Sequence, residues 1–253
     1  MDVEYVNKSR KAFTLIELLV VIAIIALLLS VLIPALQKAK DQTRRMVCQN
    51  NVRQQVIACH MYVNDNKDYF PTGSNATESE RRWGGQIGHQ EVSTSDKFLN
   101  VYIGTGRRAE IIMDDSSLKV FRCPADKGYE NKWDHKYDRL PTVWEALGRC
   151  YRYNTDALES SSGEAKGLHG KKRGAVRNPS RLILVGDIPV TTYYNRYNPW
   201  VEPLWHNKKE LGWTNVAFVD ESIKYLQVSF GDTSGVIQYT YQNGPDWTFL
   251  FLK

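Results

Sequence analysis

Lys11–Pro34 reads KAFTLIELLVVIAIIALLLSVLIP, and how this stretch is taken decides the fold. From Leu18 to Ile33 sixteen residues are interrupted only by Ser30. Phe13–Glu17 on one side and Pro34–Leu36 on the other bring the run to the ~20 residues that cross a bilayer as a helix. A buried core helix is the poorest fit. A secretory signal needs a shorter apolar region followed by small residues at a cleavage site, whereas this run continues into PALQKAKD with Gln37 where a small residue belongs. The expectation is one membrane-spanning helix, at about residues 13–36, with a single carboxylate, Glu17, near its start.

Everything after the run is polar. Mean hydropathy over the chain is −0.44 even with the apolar stretch included, so the rest of the 253 residues reads as a soluble body with room for a substantial core. Lys8, Arg10 and Lys11 precede the helix and Lys38, Lys40, Arg44 and Arg45 follow it, so positive charge does not orient it. The cysteines do. Four of them, none in a CxxC pair, suit disulfides in an oxidising compartment better than a zinc site, which puts the body outside the cytoplasm.

Past Pro34 no Gly or Pro occurs until Pro71, and Cys48, Val52, Val56, Cys59 and Val63 recur at helical spacing while Gln49, Asn50, Arg53 and Gln54 face elsewhere. One helix therefore runs from about residue 13 to 66, roughly 80 Å at 1.5 Å per residue, its second half amphipathic. Cys48 and Cys59 share a face but stand about 16 Å apart along the axis, beyond disulfide reach. If all four cysteines pair, two connectivities remain: Cys48 with Cys123 and Cys59 with Cys150, or the crossed alternative.

Residues 67–253 form the head. Leu182–Val185, Val216–Val219 and Ile223–Val228 read as strands, the last two joined by a tight turn at Asp220, Glu221 and Ser222. Val236–Tyr241 and Thr248–Leu252 are further strand candidates. The fold class expected is α+β, a long helix laid on a small antiparallel sheet.

A short basic leader, a small residue and then FTLIELLVVIAII strongly resembles the N-terminus of type IV prepilins and of type II secretion pseudopilins. RRMVCQNNVRQQVIACHMYVNDNKDYFPTG, FRCPAD and WHNKKELGWTNVAFVDESIKYL resemble a group of prepilin-like proteins found in planctomycetes. That group tends to end with a His, about nine residues, then Asp-Gly; here His206 stands fourteen positions before Asp220, and Glu221 replaces the Gly. The resemblance implies a pilin-like fold and a leader over residues 1–12. It implies cleavage by a prepilin peptidase between Ala12 and Phe13, with methylation of the new amine. Glu17 would pair with the amine of an adjacent subunit, and Pro34 would match the helix-kinking proline of many pilins. Ala12 departs from the Gly usual before the cut. The implied partners are the peptidase, other pilin or pseudopilin subunits, an assembly platform and the inner membrane, with the head on the periplasmic side.

Nothing points to an enzyme. HExxH, GxSxG, the Walker loop and GxGxxG are absent, and His60, His89, His135, His169 and His206 are scattered; a base built from His206 with Asp187 or Asp220 is a combination any chain of this size offers. No cofactor is expected. Some pseudopilins are said to hold calcium, and Asn64–Asp68 (NDNKD) supplies oxygens, but it lacks the Gly and distal Glu of an EF-hand and reads as a helix end. The basic run Lys171, Lys172, Arg173 with Arg177 has no interleaved aromatics, so no nucleic acid is expected. Tyr193–Trp213 is crowded with aromatics, among them Tyr197, Trp200, Trp205 and Trp213, and is equally a folded-back loop or a binding surface for protein or sugar. The alternative to a filament subunit is thus a membrane-anchored extracytoplasmic binding module.

Overall fold

The computed structural model describes residues 14–87, 92–103, 115–126, 142–155, 167–187, 206 and 213–227. It divides into two compact units, Met1–Gln42 and Thr43–Lys253. Helix α1 spans Leu15–Asp65 and its assignment continues through Pro34, although proline cannot donate to the carbonyl one turn back.

In the first unit the apolar side chains of α1 are exposed throughout, with Leu15 at 85 % and Val31 at 74 %. No residue of its most apolar window is buried, and it is long and apolar enough to cross a membrane. Among the described residues nothing buries this apolar surface.

The second unit is α+β. The expected stripe Cys48, Val52, Val56, Cys59 and Val63 is buried, joined by Asn51, Gln55 and Ala58. Short helices α2 (Ala76–Arg81), α3 (Asn100–Ile103), α4 (Asp115–Leu118) and α5 (Val143–Leu147) follow α1. Helix α2 is capped by Asn75 and α5 by Thr142, each accepting from a backbone N–H three residues on. The sheet has order β1-β2-β3-β4, all antiparallel, with β1 Tyr151–Tyr153, β2 Ile183–Asp187, β3 Trp213–Phe218 and β4 Ile223–Gln227. Three of these match the expected strands to within a few residues. Strand β1 escaped notice because three residues, YRY, are too few to show alternation. Val236–Tyr241 and Thr248–Leu252 lie outside the described residues.

The core joins the buried stripe of α1 to Tyr151, Tyr153, Leu184, Val185, Ala217 and Val219 of the sheet side. Polar side chains are built into it. Gln55 accepts from the Trp83 indole at 2.9 Å and donates to the Val120 carbonyl at 3.0 Å, while Trp83 stacks on Tyr153 at 4.3 Å. Glu80 takes Arg149 at 2.9 Å and Arg152 at 2.7 Å. Burial pushes the Glu80 carboxyl up, but the two guanidinium groups more than offset it and hold the group below its usual range.

Candidate functional site

The start of α1 carries the first site. Thr14 precedes the helix and Glu17 lies in its first turn. Thr14 donates to Glu17 Oε2 from its backbone N–H at 2.8 Å and from its hydroxyl at 2.9 Å, and the Glu17 N–H donates back to Thr14 Oγ1 at 3.3 Å. This is a reciprocal capping box, Thr-x-x-Glu, and it puts the carboxylate at the positive end of the helix dipole. The spacing stands in FTLIE, yet with the helix taken to begin at Phe13 the charge had no local partner; with the helix starting at Leu15 it has one. Ala12 and Phe13 lie outside the described residues.

The cysteines form the second site. All four are buried free thiols, so neither disulfide pairing is present. Their partners give the physical reason. The Cys48 thiol donates to Asp187 Oδ1 at 2.9 Å and accepts from the Tyr151 hydroxyl at 3.2 Å. Cys123 Sγ stands 3.5 Å from His206 Nε2, and the Cys150 thiol donates to Asp126 Oδ2 at 3.2 Å. Cys59 sits among apolar neighbours of the core, where burial alone pushes its thiol well up.

Asp187 ends β2 and is fully buried. Its Oδ2 lies 3.0 Å from His206 Nε2 and accepts from the Asn215 backbone N–H at 3.0 Å and the Thr214 hydroxyl at 3.3 Å. Burial pulls the His206 imidazole down, but the carboxylate beside it dominates and pushes it up to about 10. The His206 and Asp187 pair considered from sequence is therefore real in space, with two thiols closing on it. Four chain segments supply these groups, so no spacing in the sequence announces them.

Asn64–Asp68 covers the end of α1 and the turn after it, with Lys67 and Asp68 at φ 55° and 67°. Arg173 donates to Asn64 Oδ1 at 3.0 Å and to Asp68 Oδ1 at 2.6 Å, so the oxygens considered for calcium hold a guanidinium. That also engages the basic run, and Lys172 lies 5.0 Å over the Tyr69 ring. Of the aromatic cluster, Tyr197, Trp200 and Trp205 lie outside the described residues. Trp213 opens β3 and packs on Tyr225 at 5.2 Å, under which Arg45 sits at 4.6 Å.

Residues 37–179, more than half of the chain, match the family described as "Protein of unknown function (DUF1559)". The chain belongs to that family. This DUF1559 protein also matches the prokaryotic N-terminal methylation motif over residues 7–33. It is 45 % identical over 62 residues to the type IV wide pilus major component PilA4 of Thermus thermophilus, which covers 24 % of the chain and 47 % of the relative. The chain thus spans about half the length of the curated relative it matches. No solved structure matches. Motif and relative make this DUF1559 member a type IV prepilin-like protein, and its long apolar helix followed by a four-stranded antiparallel sheet is consistent with a pilin-like α+β fold.

Proposed function

We propose that the chain is a filament subunit, inserted in the inner membrane by the first part of α1, cut before Phe13 by a prepilin peptidase and assembled on a membrane platform with its head on the periplasmic side. The observation that carries this reading is the methylation motif at residues 7–33 running into a capped, wholly exposed apolar helix. In lipid, apolar helices gain no hydrophobic drive by meeting each other, so close packing and polar pairs must associate them. Glu17 supplies such a pair. Both Thr14 donors converge on Oε2, and a carboxylate has about four acceptor sites. The amine that cleavage creates at Phe13 of a neighbouring subunit adds a charge-assisted bond there, and only after processing.

A filament of the type IV pilus kind is favoured over a type II secretion pseudopilus by the name of the Thermus relative. Mass spectrometry of the protein from membranes tests the processing: a methylated Phe13 terminus is expected, and a retained Met1 would defeat the proposal. Glu17→Ala is expected to leave the chain in membranes, cut and folded, but absent from sheared filaments. Filaments that form normally from that variant would remove Glu17 from assembly.

A further inference from the structure

Cys48 Sγ, Cys123 Sγ, an Asp187 carboxylate oxygen and a His206 ring nitrogen all lie within 4.8 Å of one another. We propose that these four side chains form a zinc site that fastens the second half of α1 to the sheet. This goes beyond the filament reading and does not depend on it.

Geometry is the first argument. Zinc bonds of 2.0–2.3 Å in a tetrahedron set ligand atoms roughly 3.3–3.8 Å apart. Here Cys48 Sγ lies 2.9 Å from Asp187 Oδ1, while His206 Nε2 lies 3.0 Å from Asp187 Oδ2 and 3.5 Å from Cys123 Sγ. Both short contacts are hydrogen bonds, and zinc would take the place of the Cys48 thiol proton and the His206 Nε2 proton, with Asp187 Oδ1 as the ligand oxygen and Oδ2 kept on Asn215 and Thr214.

Burial is the second. Cys48 and Asp187 are wholly buried, Cys123 is 1 % exposed and the His206 side chain 1 %. Two thiols, a carboxylate and an imidazole brought together in a dry core are costly as a packing solution, where two apolar residues would serve better. As ligands they are in their place, and two sulfurs with a nitrogen and one oxygen select zinc over magnesium or calcium. Four protein ligands leave no open position, which makes the site structural.

The surroundings are the third argument. Cys48 Sγ accepts from the Tyr151 hydroxyl at 3.2 Å, and Cys123 Sγ accepts from the Ala125 backbone N–H at 3.4 Å. Asp187 Oδ2 accepts from Asn215 N–H and Thr214 Oγ1. Donors aimed at sulfur and carboxylate steady an anionic ligand set and fix its orientation. Tyr151 is itself held by Asn51 Nδ2 at 3.3 Å, so a residue one turn past Cys48 on α1 serves the same cluster.

The rival occupant of this space is a Cys48–Cys123 disulfide, which an oxidising compartment would favour. The test uses the full-length chain purified in detergent without added metal. Elemental analysis should find one zinc per chain, and peptide mapping without reductant should find Cys48 and Cys123 unbridged. Chelation should lower the melting temperature by roughly 10 °C, with zinc restoring it. Cobalt loaded in place of zinc should show thiolate-to-cobalt charge-transfer absorption, retained in Cys59→Ala and lost in Cys48→Ser and in His206→Gln. Because those last two variants can misfold, the chelation and cobalt measurements on the wild-type chain decide independently. A bridged Cys48–Cys123, a chain that takes up neither zinc nor cobalt, or metal kept by Cys48→Ser and His206→Gln alike would each overturn the site. None of these outcomes touches the mature N-terminus, so failure here and failure of the filament reading are separately visible.

Discussion

Glu17 and Glu80 are the same side chain answered in two ways. Glu17 is exposed on an apolar helix and its partner is Thr14, three residues away in the chain. Glu80 is nearly buried, and its partners Arg149 and Arg152 come from about seventy residues further on. The unit that holds Glu17 solves its local hydrogen bonding locally and leaves its apolar surface for other molecules. The unit that holds Glu80 settles its charges internally through long-range contacts, and its stability depends on them.

The largest effect should therefore come from Glu80. Glu80→Ala removes the carboxylate that faces Arg149, a guanidinium 1 % exposed, and breaking such a buried ion pair costs about 3–5 kcal/mol. Denaturant unfolding of the solubilised chain should show that loss as a lower midpoint. Glu17→Ala should leave the same transition unmoved. Equal losses from the two variants would erase the distinction between the regions.

A smaller effect sharpens the picture of charge inside the second unit. Lys97 is 3 % exposed, with its ammonium directed at the Gly84 and Gln86 carbonyls. Burial, and then the Arg149 charge, lower its pKa from 10.5 to about 7. Below pH 7 both folded and unfolded chains carry the proton, and this group gives stability no pH dependence. Between about 7 and 10.5 the unfolded chain holds a proton that the folded chain has released, so stability rises with pH, by at most ~1.4 kcal/mol per unit. From pH 7 to 9 the difference in unfolding free energy between wild type and Lys97→Met should carry that slope, because groups the two chains share, His206 among them, cancel from it. A difference that stays flat across the range would mean that the ammonium is not desolvated as its position implies.

How much of this was legible depends on how far apart the partners lie. The apolar run, the stripe Cys48 to Val63 and the β3–β4 hairpin are patterns of residue order within short windows, and the sequence shows them directly. The capping box was within reach, since Thr14 and Glu17 stand three letters apart in FTLIE, but seeing it required the start of the helix at Leu15. The ion pairs of Glu80 and the cluster at Asp187 were out of reach. Cys48, Cys123, Asp187 and His206 lie on a helix, a loop, a strand end and a separate segment, and only the folded sheet brings them together. The four cysteines were read as bridges because of their number, the lack of a CxxC pair and the membrane segment; their neighbours, a carboxylate and an imidazole, are what the count could not include.

The smallest predicted effect sits at the turn between β3 and β4. Phe218 and Ser222 are joined by a hydrogen bond of 2.9 Å, the Glu221 N–H returns to the Phe218 carbonyl at 3.0 Å, and Asp220 Oδ1 accepts from the Ser222 N–H at 3.0 Å. That is a three-residue hairpin loop whose last position is left-handed, and Glu221 occupies it at φ 68°. Glycine is the residue that takes this conformation without strain, and a side chain there costs about 1 kcal/mol. Glu221 has one offsetting contact, His60 Nδ1 at 3.6 Å, but its side chain is 61 % exposed and such a pair is worth little. Glycine also frees the unfolded chain, which returns part of the gain. Glu221→Gly should thus raise stability by somewhat under ~1 kcal/mol, while Glu221→Val, β-branched at positive φ, should lower it. If both variants lose stability equally, the His60 contact and not the backbone governs this turn, and even the second unit's surface would depend on paired charge.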